Sequence, residues 1–378
     1  MRAAEVAIVG AGVTGVSIAF HLRERGIGPV VVLERSGVNA GASGVQPGGV
    51  RRQWSTREHC LLAHESYEFY RAFASHVKAT PKPLLESCGY LFLAHSTDML
   101  ARLETNVELQ NALGIPSEIV GPARVAEIVP GLDPSSLTGA AWCQSDGYFD
   151  QPQAVVECFA EASWRAGAEL EIAEVVELLP DGDGWRLRLL EGELSAQHVV
   201  LAAGYDSPAL VSSFGLELPI VKEQRFLFLS EPVRERLLEP LLVSSERHFA
   251  AKQLANGRVL ASDLSASGDP ETGRERWRQT VRRGVEELTP SLSFVPWDVL
   301  VDGFYDVTPD NEEILGPVAG HPGLWLATGF SGHGFMMAPA VGRSLAAWIA
   351  NEDPGECAAS FMLERFEGES LRAETQVV

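Results

Sequence analysis

The stretch from Val6 to Glu34 constrains this chain most. It opens with the apolar run Val6 to Val9, short enough for a buried parallel strand. Gly10, Gly12 and Gly15 follow in a G-x-G-x-x-G turn, then a helix with Val16, Ala19 and Phe20 on its inner face. Val30 to Leu33 is a second strand, and Glu34 ends it. Strand, glycine turn, helix, strand and terminal acid together make a Rossmann βαβ unit. Gly10 permits the tight turn, Gly12 lets a pyrophosphate approach the backbone, and Gly15 lets helix and strand pack closely. The helix N-terminus offers free N–H groups to phosphate. Glu34 is placed to accept from an adenosine ribose, and its charge disfavours a 2′-phosphate. FAD or NAD is therefore expected ahead of NADP.

Composition narrows the partners. The 378 residues suffice for two domains with their own cores. A formal net charge of −21 argues against nucleic acid and anionic membranes as partners. No run is long enough for a transmembrane helix. The chain enters its first strand at once, so no signal peptide is expected. Five scattered cysteines with no C-x-x-C pair predict reduced thiols in a cytoplasmic protein, with no structural metal. The oligomeric state is left open.

After Glu34 the glycine-rich segment 35–54 reads as a functional loop. A helix is expected from Arg57 to Val77, ended by Pro81 and Pro83, followed by a strand from Gly89 to Ala94. Further helices are expected at Thr97 to Leu113, from Pro122 to before Pro130, and at Gln151 to Ala166. The segment G-A-A-W-C-Q-S-D-G-Y-F-D-Q-P is read as the return to the nucleotide domain. Strands are expected at Glu169 to Ile172, Val175 to Leu179, Trp185 to Leu190 and His198 to Ala202. More follow at Pro219 to Ser230, Phe249 to Gln253, Arg258 to Ser262 and Leu324 to Thr328. A polar helix covers Thr272 to Leu288. Gly329 to Gly334 is a glycine turn opening a final helix, with Pro339 near its first turn.

Five segments together carry a resemblance: G-A-G-V-T-G, G-A-S-G-V-Q-P-G-G-V-R-R-Q, V-V-L-A-A-G, T-P-D-N-E-E-I-L-G-P and G-F-S-G-H-G-F. In this order the chain resembles the D-amino-acid oxidase (DAO) superfamily of FAD-dependent oxidoreductases. Its nearest likeness is to the sarcosine oxidase, dimethylglycine dehydrogenase and dye-linked proline dehydrogenase branch. The resemblance implies an α/β fold in which a Rossmann-type FAD-binding domain is interleaved with an α+β substrate domain on a mainly antiparallel sheet. The expected division is 1–80, 142–218 and 300–378 for FAD, and 81–141 and 219–299 for substrate.

The resemblance also implies roles. Gly10, Gly12, Val13, Gly15, Glu34 and Arg35 hold the ADP half. Ser43, Gly48 and Gly49 line the flavin, Val176 meets adenine through its backbone, and Ala203 and Gly204 pass the pyrophosphate. Gly332, His333, Gly334, Phe335 and Met336 run beside the isoalloxazine ring. A helix N-terminus there would stabilise the reduced flavin's negative charge. His333 is read two ways, as a protonated aid to that charge or as a polar residue bonding backbone.

Many sarcosine oxidases attach FAD through a cysteine where this chain has Asp302, Gly303, Phe304 and Tyr305, so non-covalent FAD is expected. Those enzymes also carry a lysine where Met336 stands, and the glycine oxidase branch an arginine near Tyr305. The likeness to this branch places substrate anchoring at Arg52 and Arg51, which leave the flavin loop; the other reading is an ion pair that merely pins the loop, and Arg225 is a further candidate. Tyr305 is either a pocket-lining residue or a core aromatic.

The expected activity is FAD-dependent oxidation of a C–N bond in an amine or amino acid, of sarcosine-like, secondary or N-substituted type. A hydride would pass to flavin N5, and the imine would hydrolyse. Oxygen and an electron-acceptor protein are both open as oxidant. A flavoprotein subunit or assembly partner without small-amine turnover, and an NAD-dependent dehydrogenase, are the alternatives.

Overall fold

The computed structural model describes residues 2–80, 82–368 and 371–377. Its first sheet is built around Arg2–Val9, with Val30–Glu34 parallel on one side and Glu193–Leu201 parallel on the other. Glu169–Ile172 extends it beyond Val30–Glu34. Leu324–Thr328 pairs with the end of Glu193–Leu201, and Ile314–Pro317 returns antiparallel to it. Val175–Asp181 and Gly184–Leu189 form the expected hairpin at the far edge. The central strands are apolar on both faces because helices cover one side and the hairpin layer the other. The helices Val13–Glu24, Pro152–Arg165 and Gly334–Ile349 supply that cover, backed by Arg57–Arg71.

A second sheet has eight strands. Their order is Val299–Val307, Val221–Leu229, Val259–Asp263, Phe249–Gln253, Leu241–Ser244, Tyr90–Ala94, Gly139–Cys143 and Glu118–Val120. All neighbours are antiparallel except Leu241–Ser244 beside Tyr90–Ala94. The helix Pro270–Leu288 packs Trp277, Val281 and Val285 against Phe226, Phe228 and Phe249 on one face of it. The other face, with Tyr90, Leu241 and Ala250, is turned towards the first sheet and lines a cavity. A small sheet of Gly49–Val50, Gly147–Phe149 and Leu85–Glu86 links the two.

Several expectations are corrected. The helix expected over 57–77 is two, Arg57–Arg71 and Phe73–His76, broken at Ala72. It ends without proline: Lys78 takes a positive φ and turns the chain away. Of the two prolines expected to end it, Pro81 lies outside the described residues. The segment expected to return to the nucleotide domain is itself a strand of the second sheet, Gly139–Cys143, before it reaches the linking sheet. Leu241–Ser244 and Val299–Val307 are strands that sequence reading passed over.

Pro339 also sits differently. The last helix begins at Gly334, so Pro339 lies inside it rather than in its first turn. Proline has no N–H for the carbonyl four residues back. That carbonyl, on Phe335, is answered by the Tyr70 hydroxyl at 2.6 Å. Ser66 serves the same region, donating to Met337 O and accepting from Ala340 N. Two side chains of Arg57–Arg71 thus answer the backbone groups around the proline.

Candidate active site

One cavity of about 660 Å³ runs between the two sheets. At one end lie Gly10, Gly12, Val13, Glu34, Arg35 and Val176; at the other, Arg51, Tyr305 and Gly332 to Met336. Ser43, Gly49, Ala203 and Gly204 line the stretch between.

At the end with the glycine turn the structure brings Gly10, Gly12, Val13, Glu34 and Arg35 together. Gly10 has φ +109°, and a β-carbon there would stand 2.4 Å from Ala202 O, so no other residue fits. Glu34 accepts from Ala11 N at 2.9 Å through one oxygen and from Ser36 N at 2.9 Å through the other. The carboxylate therefore shapes the glycine turn as well as facing the cavity. Ser43 Oγ accepts from Val13 N at 3.0 Å, tying the glycine-rich loop to the helix N-terminus. Arg35 is bound to Asp206 at 2.7 Å. Gly15 and Gly48 do not line the cavity; a side chain on Gly15 would strike Gly10 O, and one on Gly48 would strike Phe149 O.

Helices Val13–Glu24 and Gly334–Ile349 both start at the cavity wall, and neither has a side-chain cap from its own N-cap residue. Helix N-termini are suited to an anionic group at each end of a long cofactor, although at Val13–Glu24 the first N–H is already given to Ser43 Oγ. Further along, buried polar atoms lack partners on the wall: both ring nitrogens of His333, Nε of Arg51 and the amide nitrogen of Gln46. Such groups are costly unless a ligand answers them. The donor set fits FAD.

The flavin end corrects two readings. Burial, then Arg51 and His59, push the His333 pKa well below its usual value. A protonated His333 is therefore not available, and neither ring nitrogen bonds backbone; the imidazole is neutral, edge-on to Trp54. Nor does Arg52 line the cavity. Its Nε meets Asp146 at 2.8 Å, its backbone N–H meets the other Asp146 oxygen at 2.8 Å, and its guanidinium lies 3.7 Å over the Tyr67 ring. Both partners are buried. Adjacent residues of an extended segment point to opposite sides, so Arg52 pins the loop while Arg51 faces the cavity.

Arg51 is 1% exposed. Its Nη atoms donate to the carbonyls of Gln53 and Gln376, and its guanidinium carbon lies 3.5 Å over Trp54. No carboxylate lies within ion-pair distance of it among the described residues. Tyr305 lines the cavity, held between Gly332, which has no side chain to displace it, and Arg225. Arg225 is half-exposed and paired with Glu223 at 2.6 Å.

Two wall residues escaped sequence reading. Asp306 is buried and accepts from Gly329 N at 2.7 Å, fixing the glycine turn; burial pushes its pKa up to about 6. Lys252 is 2% exposed, donates to Pro47 O and lies 3.9 Å over the Tyr148 ring. Behind the wall, His59 stacks on Trp54 and meets Glu313 at 3.0 Å. None of the five cysteines lines the cavity, and a β-carbon on Gly303 would stand 2.7 Å from Val45. No helix among the described residues is long and apolar enough to cross a membrane.

Comparison with known proteins agrees with this geometry. The chain is 25% identical over 384 residues to mouse (Mus musculus) mitochondrial dimethylglycine dehydrogenase, covering 93% of this chain but only 43% of that protein. It is 29% identical over 360 residues to glycine oxidase of Pseudomonas aeruginosa, covering 92% of this chain and 95% of that one. The structure of L-proline dehydrogenase from P. horikoshii superposes with a TM-score of 0.92 at 26% identity, over 98% of this chain and 100% of that one. The family model for FAD dependent oxidoreductases of the DAO type matches residues 5–348. That match sets aside the NAD-dependent reading: the chain belongs to the DAO family of FAD dependent oxidoreductases.

Proposed function

We propose that this protein oxidises the C–N bond of a secondary or N-substituted amino acid, with FAD held non-covalently in the cavity and Arg51 binding the substrate carboxylate. The observation that carries the reading is Arg51: a buried guanidinium on the cavity wall, without a carboxylate partner and with Nε unanswered. Relatives named dimethylglycine dehydrogenase and L-proline dehydrogenase support the substrate class, and one named glycine oxidase supports amino-acid oxidation more broadly.

FAD, when bound, supplies the hydride acceptor. The glycine turn, Glu34 and Ser43 hold its nucleotide half, and the turn from Gly329 to Gly334, fixed by Asp306, holds its flavin half. Arg51 orients the substrate by a charge-assisted contact. A wall carrying the Arg51 charge favours the neutral form of the substrate amine, which is the oxidisable form. His333, neutral with two unanswered nitrogens, accepts from or donates to the substrate without adding charge. Tyr305 and Arg225 close the side towards the second sheet. The same reading keeps the proposed two-domain division, though Val299–Val307 pairs within the second sheet. Its imine product hydrolyses in water. The oxidant is oxygen or an acceptor protein, and the setting is cytoplasmic, in keeping with five free cysteines.

The test is Arg51→Met with a substrate as its acid and as its neutral amide. Removing one member of a buried charge pair costs about 2–5 kcal/mol. The rate of flavin reduction over affinity should fall roughly tens to thousands of fold for the acid, and far less for the amide. Equal losses for both would place the carboxylate elsewhere.

A further inference from the structure

The cavity wall carries four arginine and lysine side chains: Arg35, Arg51, Arg225 and Lys252. Arg35 and Arg225 are neutralised by Asp206 and Glu223. Arg51 is assigned above to an α-carboxylate. Lys252 is left over, and it is the least expected of the four.

Lys252 lies on Phe249–Gln253, in the middle of the second sheet. Side chains alternate along a strand. Phe249 and Ala251 pack towards the helix Pro270–Leu288, so Ala250 and Lys252 take the opposite face, that of the cavity. One N–H of the ammonium is used on Pro47 O, and the Tyr148 ring covers one side. Among the described residues no carboxylate is within 4 Å; Asp150, whose charge acts on it from farther off, is engaged with Ala255 N at 2.7 Å. A buried ammonium in this state is poorly satisfied, and burial lowers its pKa to about 7. An anion beside it would restore the charge.

The sheet also sets its distance from Arg51. Leu241 pairs with Tyr90, and Leu242 with Ala251, so Lys252 stands two strands from Tyr90. Two strand spacings are about 10 Å between backbones. The Arg51 guanidinium lies 5.9 Å from the Tyr90 ring. Two uncompensated basic groups thus face one cavity from places that a single short, extended molecule can bridge.

We infer that Lys252 binds a second carboxylate, on the substrate's side chain, so that the preferred substrate is an N-substituted amino dicarboxylic acid. This rests on the amine-oxidation reading and on Arg51 as the first anchor.

The test uses FAD-loaded protein without oxygen, reduced by N-methylglutamate, by its uncharged mimic N-methylglutamine, and by N-methylalanine. N-methylglutamate should exceed N-methylglutamine in reduction rate over affinity by at least roughly tenfold, and Lys252→Met should bring that ratio towards one. Glutarate, which cannot be oxidised, should perturb the flavin spectrum at lower concentration than butyrate, and Lys252→Met should remove the difference. Equal use of N-methylglutamate and N-methylglutamine by the unaltered protein overturns the inference. So does a Lys252→Met protein that keeps the ratio but is reoxidised more slowly by oxygen, which would put Lys252 at the flavin's oxygen side. If no amine bleaches the flavin, the amine-oxidation reading fails, and the glutarate titration alone then decides on Lys252.

Discussion

Replacing Arg52 separates fold from chemistry at two neighbouring arginines. In Arg52→Met the Tyr67 ring keeps an apolar neighbour, but Asp146 loses its cation. Asp146 is fully buried, and the remaining contact to it is the residue-52 backbone N–H. Breaking a buried ion pair from one side costs about 3–5 kcal/mol, because an uncompensated charge stays behind. The double variant Arg52→Met with Asp146→Asn removes both charges, keeps an acceptor for that N–H, and should recover a good part of the loss. Urea unfolding of the apoprotein and the FAD-loaded protein measures both. The acid-to-amide preference of flavin reduction should stay as in the unaltered protein, since Arg52 does not reach the cavity. The reasoning is refuted if Arg52→Met unfolds within about 1 kcal/mol of the parent and loses its preference for the acid.

Tyr70→Phe should destabilise the protein by about 1–3 kcal/mol, because the Phe335 carbonyl loses its donor; an unchanged thermal midpoint would show that another group answers it. Glu34→Ala should weaken FAD binding to the apoprotein roughly ten- to a hundredfold, and Glu34→Gln less, since the carboxylate also holds Ala11 N and Ser36 N; equal affinity across all three would sink the assignment. Burial opposes a charge on His59, but Glu313, Glu312 and Glu374 outweigh it and raise the pKa to about 10. A folded value above the unfolded value of about 6.5 means this contribution is complete below pH 6.5 and lost as pH rises towards 10. Unfolding free energy should therefore decline over that window, and His59→Gln should flatten the decline. FAD should pass into the supernatant on acid precipitation; colour kept in the pellet would mean a covalent link.

What was legible in the sequence follows from how local each feature is. The βαβ unit was legible because strand, glycine turn, helix and acid lie between Val6 and Glu34 and each has its own chemistry. Glu169–Ile172, Phe249–Gln253 and Leu324–Thr328 fall where their apolar patterns place them. Val299–Val307 was not legible, since an edge strand with Asp302, Gly303 and Asp306 lacks a buried stripe. Choosing between Arg51 and Arg52 depended on Asp146, 94 positions away. Lys252 on an alternating strand reads as solvent-facing, and its contacts in the fold, Pro47 and Tyr148, are about 205 and 104 positions away. Pro339 sits inside a helix because Tyr70, from another helix, repairs the missing bond.

The most direct measurement is anaerobic bleaching of the FAD-loaded protein by an N-methyl amino acid, unlabelled and with deuterium on the carbon to be oxidised. The account predicts full bleaching with one substrate consumed per flavin, slower for the deuterated compound, and release of the amine fragment. A flavin that stays oxidised with every secondary amine and N-methyl amino acid tried, yet accepts electrons from another donor, would contradict it.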